Sequence, residues 1–293
     1  MIEKAKAYGE LLRVHNLIGT ALGVLAGIIL VSSKVEYRAI IAIISAVLIA
    51  GAGYAINDYF DIDIDKINKP SRPLPSGKIE AKTAYRLAII MFVIGSLLPI
   101  LIGPLTTAFA IFNAILMYYY SKVLKRTGFI GNLTVAFSTS ATIFYGALSV
   151  LEPSGRLIEV TSILPVVFLT FSLTLAREVI KGIEDYYGDK ENGVKTLAVV
   201  MGPKKAALIA LLLTLSCFPL IMASYLWTRL GPVFLTLTTI GALVSLVSIL
   251  KVIKSEDSIR EAAKARRLTK ISMFLGIFAI LLDRGISLAF FGY

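Results

Sequence analysis

The chain has 293 residues, 57% hydrophobic and 17% charged, with a formal net charge of +11. A soluble protein carries about 25% charged residues, and the apolar residues here fall in blocks of the ~20 residues that cross a bilayer, so a soluble globule is excluded. The single cysteine, Cys217, lies in an apolar run, which excludes an internal disulfide and a cysteine metal site.

In chain order the sequence predicts nine spans, at about 14–32, 39–57, 84–102, 105–121, 131–150, 160–177, 206–227, 231–250 and 271–291. The first fifteen residues are of mixed charge and lead straight into the first span, so no cleavable signal is expected. Gly103-Pro104 links spans three and four tightly, and Glu152-Pro153-Ser154-Gly155, Pro203 and Gly231-Pro232 punctuate later ends. Of the 30 Lys and Arg residues, 24 fall in the N-terminus and alternate connections, 4 (Lys34, Arg38, Arg156 and Arg229) on the opposite side, and Arg86 and Arg284 within spans. That asymmetry places the N-terminus in the cytoplasm and the C-terminus outside, and accounts for most of the basic excess without nucleic acid.

Two connections on the basic side are also acidic. The first, after span two, begins Asn57-Asp58-Tyr59-Phe60-Asp61-Ile62-Asp63-Ile64-Asp65 and continues through Lys66, Lys69 and Arg72. If the helix continues, Asp58, Asp61 and Asp65 share a face. The second, after span six, runs from Arg177-Glu178 through Lys181 to Glu184-Asp185-Tyr186-Tyr187-Gly188-Asp189, with Asp185 and Asp189 one turn apart. Like charges on one helical face are destabilising unless a cation sits among them. Oxygen-only ligands select a hard cation, and Mg²⁺ combines a few carboxylates with phosphate oxygens. Carboxylates beside Arg72, Lys125, Arg126, Lys181 and Lys195 are the groups a diphosphate needs. The bland alternative is a pair of solvated loops whose acids balance nearby bases. Acidic residues at span ends are more often functional, and two such motifs on one side strengthen that reading. Spans two to four and six to eight form a loose internal repeat, each opened by an acidic motif.

At these residues the chain resembles the UbiA superfamily of intramembrane prenyltransferases. The matching motifs are Asn57-Asp58-x-x-Asp61-x-x-x-Asp65, Asp185-x-x-x-Asp189, the stretch Asn68 to Gly77, and Tyr120 to Lys125-Arg126. The setting of the second motif, from Arg177 through Lys181 and Lys195 to Leu197, is most similar to the archaeal digeranylgeranylglyceryl phosphate synthase branch, although Gly182 stands where relatives often carry an acid. The resemblance implies one domain over residues 1–293: an all-α integral membrane protein, nine transmembrane helices bundled around a central cavity, capped on the cytoplasmic side by the acidic loops. It implies Mg²⁺-dependent transfer of an isoprenoid, geranylgeranyl in that branch, from its diphosphate to a lipid-phosphate hydroxyl. Asp58, Asp61 and Asp65, with Asn57, are expected to hold one Mg²⁺, and Asp185 and Asp189 another. Arg72, Lys125, Arg126 and Lys181 are expected on the diphosphate, Tyr120 on substrate, and Arg13 and Lys195 on the acceptor phosphate. Tyr54, Tyr118, Tyr119, Tyr120 and Tyr145 are candidates to shield an allyl cation, each also explicable as an ordinary span residue. His15 reads as an interfacial polar residue before it reads as a base. No protein partner is implied.

Three other functions remain to be weighed. Prenylation of an aromatic or quinone-precursor acceptor uses the same chemistry. A CDP-alcohol phosphotransferase requires a compact Asp-Gly-x-x-Ala-Arg run that is absent. A cation transporter places its carboxylates near mid-membrane at broken helices, whereas these lie at span ends.

Overall fold

The structure, a computed structural model, describes residues 2–228 and 230–291. The described residues are helical, in the order α1 (Ile2–Leu11), α2 (Val14–Val31), α3 (Tyr37–Phe60), α4 (Ile62–Asn68), α5 (Ala81–Leu97), α6 (Pro104–Lys122), α7 (Phe129–Leu151), α8 (Leu164–Glu184), α9 (Tyr186–Glu191), α10 (Leu197–Met201), α11 (Pro203–Trp227), α12 (Pro232–Lys254) and α13 (Ser258–Phe291). Pro104, Pro203 and Pro232 each open a helix, where the missing N–H costs nothing and the fixed φ is already helical.

Among the described residues seven segments are long and apolar enough to cross a membrane: α2, α3, α5 with its short extension to Leu101, α7, α8 with the preceding turn from Leu157, α11 and α12. The other two expected spans fall on α6 and α13. Helix α6 carries Asn113 and ends in three tyrosines, and α13 carries Asp283-Arg284 in its apolar half. The basic stretch before span nine, read from sequence as a connection, is the first half of α13: the helix runs unbroken through Lys264, Arg266, Arg267 and Lys270.

The long helices form a ring. Helix α3 packs on α2, α5 and α6; α7 lies against α2 and α8; α8 packs on α11 and α13; α12 pairs with α11 and α13; and α13 returns to α2. One apolar core joins α1, α2, α3, α5 and α6, including Ile28, Ile56 and Phe92. A second joins α2, α7, α8, α11, α12 and α13 around Ile143, Ile163 and Phe234. A third, around Ile180, Ile183 and Ile249, fixes α8 to its neighbours near the second acidic motif. The α2–α7 crossing needs glycine on both sides. A Cβ on Gly27 would stand 2.0 Å from the Ile143 carbonyl oxygen, and one on Gly146 2.0 Å from that of Val24. Small residues at helix crossings let backbones approach in this way.

The internal repeat expected from sequence has a structural counterpart. Helix α3 breaks at Asp61 (φ −97°, ψ 1°) and resumes as α4, and α8 breaks at Asp185 (φ −86°, ψ 10°) and resumes as α9. In each half a later helix begins at Gly-Pro and is capped by a carboxylate, from the residue just after α7 in one half and from within α13 in the other. Glu152 accepts from the Leu105 and Thr106 N–H groups, both at 2.7 Å. Asp283 accepts from Gly231 (2.7 Å) and Phe234 (2.9 Å). A carboxylate on otherwise unsatisfied N-terminal amides answers both the missing hydrogen bonds and the helix dipole.

Candidate active site

Both helix breaks open onto one cavity of about 1440 Å³. Its motif end is lined by Arg13, Asn57, Asp61, Asp65, Lys69, Arg72, Tyr120, Lys125, Arg126, Lys181, Asp185 and Asp189, and Tyr54 and Tyr145 line it further along. Residues 128 and 120 or more positions apart, as Asn57 is from Asp185 and Asp65 from Asp185, are thus brought to one space, which no local spacing could require.

The first motif is not the single helical face expected from sequence. The helix is interrupted at Asp61, and the three carboxylates divide between two partners: Asp58 and Asp65 converge on Arg72, and Asp61 pairs with Lys125. Asp58 is 3% exposed and is not among the residues lining the cavity. It accepts from the Arg13 guanidinium at 2.7 Å and from Arg72 at 3.3 Å. The same Arg72 nitrogen donates to Asp65 at 2.5 Å. Asp61 is ion-paired with Lys125 and accepts from the Asn57 side-chain amide at 3.0 Å. The expected three-carboxylate ligand set of Asp58, Asp61 and Asp65 is therefore not assembled in this structure, and among the described residues no three His, Cys, Asp or Glu side chains converge as a metal cage. Asp58 instead anchors two arginines at the edge of the site.

Arg13 has a second distinction. It is the one non-glycine described residue with positive φ (50°), at the break between α1 and α2. Such backbone costs of order 1 kcal/mol and persists only where surroundings over-determine it. Here its guanidinium is fixed by Asp58 and lies 5.0 Å from the centre of the Tyr54 ring. Arg13, expected on an acceptor phosphate, lines the cavity and has a carboxylate partner 45 residues away.

The second motif has a different electrostatic character. Among the described residues neither Asp185 nor Asp189 has an ion-pair partner within salt-bridge distance. Burial, opposed by Lys181, raises the Asp185 carboxyl above its ordinary value; burial and the nearby Asp185 charge raise that of Asp189. Two neighbouring, partly solvated carboxylates that repel each other fit a divalent cation, and all-oxygen donors fit a hard one. Around them, buried Glu178 is bound by Arg177 at 2.5 Å, and Glu184 is ion-paired with Arg266 of α13. Raised carboxyls are protonated at a pH where ordinary ones are still charged. In the cation-free protein, their ionised form therefore opposes folding above the raised pKa, and the penalty is relieved as pH falls through it. Cation binding should weaken over the same window, beginning above the ordinary carboxylate value near 4. The Mg²⁺ concentration for half-maximal turnover should rise as the pH falls from 7 toward 4; a constant value across that range would count against this role for Asp185 and Asp189.

Several expectations change place. Lys195 is exposed and does not line the cavity, whereas its neighbours Asn192, Gly193 and Val194 do. Its carbonyl instead meets the loop before α7. Gly128 (φ 67°) sits so close that a Cβ there would lie 2.0 Å from the Lys195 oxygen. This contact docks the Lys125-Arg126 turn on the loop that follows the second motif. Tyr118 packs edge-on against Phe60, and Tyr119 is exposed; neither lines the cavity. His15 is exposed on α2 and also lies outside the lining, as its interfacial reading implies. Sequence reasoning missed Arg177, Asn113, Lys270 and the hydroxyls of Ser138, Thr139 and Thr142, all of which line the cavity. The α7 hydroxyls recur at 138, 139 and 142, a helical-face signal that could have been read from the sequence.

The chain is 50% identical to the digeranylgeranylglyceryl phosphate synthase of Ignicoccus hospitalis over 288 residues, covering 98% of this chain and 95% of the relative. It is 44% identical to the synthase of that name from Saccharolobus solfataricus, with 98% of each chain covered. A solved structure described as concerning digeranylgeranylglyceryl phosphate synthase in membranes superposes with a TM-score of 0.81 at 29% identity, over 96% of this chain and 99% of the other. A UbiA homologue from Archaeoglobus fulgidus bound to GPP and Mg²⁺ shares the fold, with a TM-score of 0.65 at 16% identity, over 94% and 99% of the two chains. With the UbiA prenyltransferase family pattern matching residues 18–278, the chain belongs to that family of multi-pass membrane enzymes.

Proposed function

We propose that this enzyme transfers a geranylgeranyl group from its diphosphate to the free hydroxyl of geranylgeranylglyceryl phosphate, with Mg²⁺ as its cofactor. The observation that carries the reading is the convergence of both acidic motifs with Arg72, Lys125, Arg126 and Lys181 on one cavity that continues between apolar helices. The relatives at 50% and 44% identity carry the name of that activity. Asp61, Asp65 and Asn57 on one side, and Asp185 and Asp189 on the other, are the residues that would hold Mg²⁺, with Asp58 setting the arginines beside them. When bound, the metal neutralises charge on diphosphate oxygens.

The chain's own cations do the rest. Lys125, Arg126, Arg72 and Lys181 stabilise the negative charge that grows on the diphosphate as the allylic C–O bond breaks and its electron pair leaves with the phosphate oxygen. Below them apolar lining side chains such as Met117 keep water from the allyl cation, and the faces of Tyr54 and Tyr120 favour positive charge. The acceptor hydroxyl attacks that carbon, and its proton passes to the released diphosphate as the ether bond forms. Purified enzyme should release diphosphate only when donor, lipid-phosphate acceptor and Mg²⁺ are all present, and EDTA should abolish the release. Full turnover in EDTA would overturn the metal assignment.

We read the chain as one domain over residues 1–293 in which α6 and α13 complete nine spans, with the acidic loops capping the cytoplasmic end and the C-terminus outside. The basic residues of the motif-end connections support that orientation. A cysteine replacing Lys190 should be labelled by an impermeant thiol reagent only from the cytoplasmic side, and one replacing Ser154 only from outside. Labelling of both from one side would contradict it.

A further inference from the structure

Among the described residues the carboxylates that line the cavity are Asp61, Asp65, Glu184, Asp185 and Asp189. Three of them are held by a cation from elsewhere in the chain: Asp61 by Lys125, Asp65 by Arg72, and Glu184 by Arg266 of α13. Asp185 and Asp189 are left without an ion-pair partner. Lys125 and Arg72 line the cavity themselves; Arg266 does not, and touches the site only through Glu184.

Nothing local pairs Arg266 with Glu184, which lie 82 positions apart. Packing brings them together. Ala262 and Ala265 of α13 are buried in the same apolar core as Ile180 and Ile183 of α8. Helix α13 runs unbroken through this stretch, so Arg266, next to Ala265, is carried to the end of α8, where Glu184 follows Ile183. The guanidinium meets the carboxylate side-on. Its Nη2 donates to Oε1 at 3.1 Å, and its Nε is paired with Oε2. Those last two atoms are both closed off from solvent. A two-point fork of this kind fixes direction as well as charge.

The direction matters because Glu184 immediately precedes Asp185, where α8 is interrupted and α9 begins. The charges of Glu184 and Arg266 both reach the Asp185 carboxyl, in opposite senses. Released from its fork, Glu184 would be a third carboxylate beside the pair. Mg²⁺ is served by one or two carboxylates plus phosphate oxygens and water, whereas Ca²⁺ takes roughly 6–8 oxygen ligands in flexible geometry. A third carboxylate therefore favours the larger ion and occupies a place that a phosphate oxygen needs.

We propose that Arg266 is a positioning residue: by holding Glu184 in a fork it keeps that carboxylate off the cation held by Asp185 and Asp189, so that the second motif offers two carboxylates and leaves coordination positions for the diphosphate. The proposal rests on the Mg²⁺-dependent prenyltransferase reading above and adds what tunes its second motif. The test is calorimetric titration of purified, substrate-free enzyme in detergent with Mg²⁺ and, separately, Ca²⁺, with turnover measured alongside. Wild type is compared with Arg266→Ala and with Arg266→Ala/Glu184→Gln. Arg266→Ala should bind Ca²⁺ at least about tenfold more tightly, and its gain for Mg²⁺ should be at least about threefold smaller, since ligand charge count tunes oxygen sites over decades. Its turnover in saturating Mg²⁺ should fall at least about tenfold, because the diphosphate loses part of its charge stabilisation. Adding Glu184→Gln should return Ca²⁺ affinity to within about threefold of wild type and recover most of the turnover, because the amide brings no charge to the cation. A merely structural contact would behave otherwise: loosening the end of α8 would weaken both cations, and a second change at Glu184 would not repair it. Where Arg266→Ala does not fold, Arg266→Gln, which keeps a longer stem, carries the same expectations. Weaker or unchanged Ca²⁺ binding in the single variant would overturn the proposal, as would a turnover loss that Glu184→Gln leaves in place. Full turnover of wild type in EDTA would instead be a failure of the metal reading beneath it.

Discussion

Asp61→Ala and Asp185→Ala should each lower turnover by at least about 10²-fold, the usual loss when one group that stabilises transition-state charge is removed. The two residues are the helix-breaking positions of the two motifs, and both line the same cavity. Asp61 also holds Lys125, so its removal releases a cation from the diphosphate side of the site as well as a carboxylate. If the motifs act on one diphosphate, the double variant should lose much less than the product of the two single losses, because residues that work as a unit are not additive. Steady-state turnover at saturating donor checks this. Independent, multiplicative losses would mean that the motifs serve different steps, and near-wild-type turnover in Asp185→Ala would remove the second motif from the chemistry.

Arg72→Ala should lose turnover on a similar scale and should also destabilise the protein. One guanidinium nitrogen of Arg72 serves both Asp58 and Asp65, whose side chains are 4% and 7% exposed, while Arg72 itself is 25% exposed. Removing one partner of a buried pair leaves an uncompensated charge at about 3–5 kcal/mol when burial is complete. With a quarter of Arg72 in contact with solvent, and with Arg13 still on Asp58, about 2 kcal/mol is the expected cost. Arg72→Lys should recover stability more than turnover, since an ammonium can satisfy one carboxylate but does not offer the planar fork that suits carboxylate and phosphate together. Thermal unfolding in detergent alongside kcat/KM for the donor separates the two effects. Equal recovery of both by lysine would show that only charge matters at this position.

The elements that were legible in the sequence are those written in local pattern. Apolar blocks and Gly-Pro punctuation pointed to the long helices, seven of which among the described residues are long and apolar enough to cross a bilayer. The paired aspartate motifs pointed to the candidate site, and Asp61, Asp65, Asp185 and Asp189 all line its cavity. What was not legible depends on direction and long-range contact. The interruptions at Asp61 and Asp185 and the cations that divide the first motif, Arg72 on Asp58 and Asp65 and Lys125 on Asp61, depend on contacts that no propensity of Asp-Ile or Asp-Tyr announces. Arg13 meets Asp58 because α1 stops at Leu11 and the chain turns through a left-handed residue, a conformation that nothing in Leu12-Arg13-Val14 requires. Lys195 matched its motif by spacing, yet the tight seat of Gly128 on its carbonyl fixes that loop with the side chain outside the cavity. The start of α13 was hidden for a simpler reason: a charged amphiphilic helix and a charged connection have the same mean hydropathy.

Product mass tests the central claim most directly. Purified enzyme is incubated with Mg²⁺, isotopically labelled geranylgeranyl diphosphate and a mixture of geranylgeranylglyceryl phosphate with aromatic and quinone-precursor acceptors. The account predicts one labelled product, geranylgeranylglyceryl phosphate heavier by a single geranylgeranyl group less one hydrogen, formed in Mg²⁺ and absent in EDTA. A labelled aromatic product with the glycerophosphate lipid unchanged would contradict it, as would label recovered only as free geranylgeraniol.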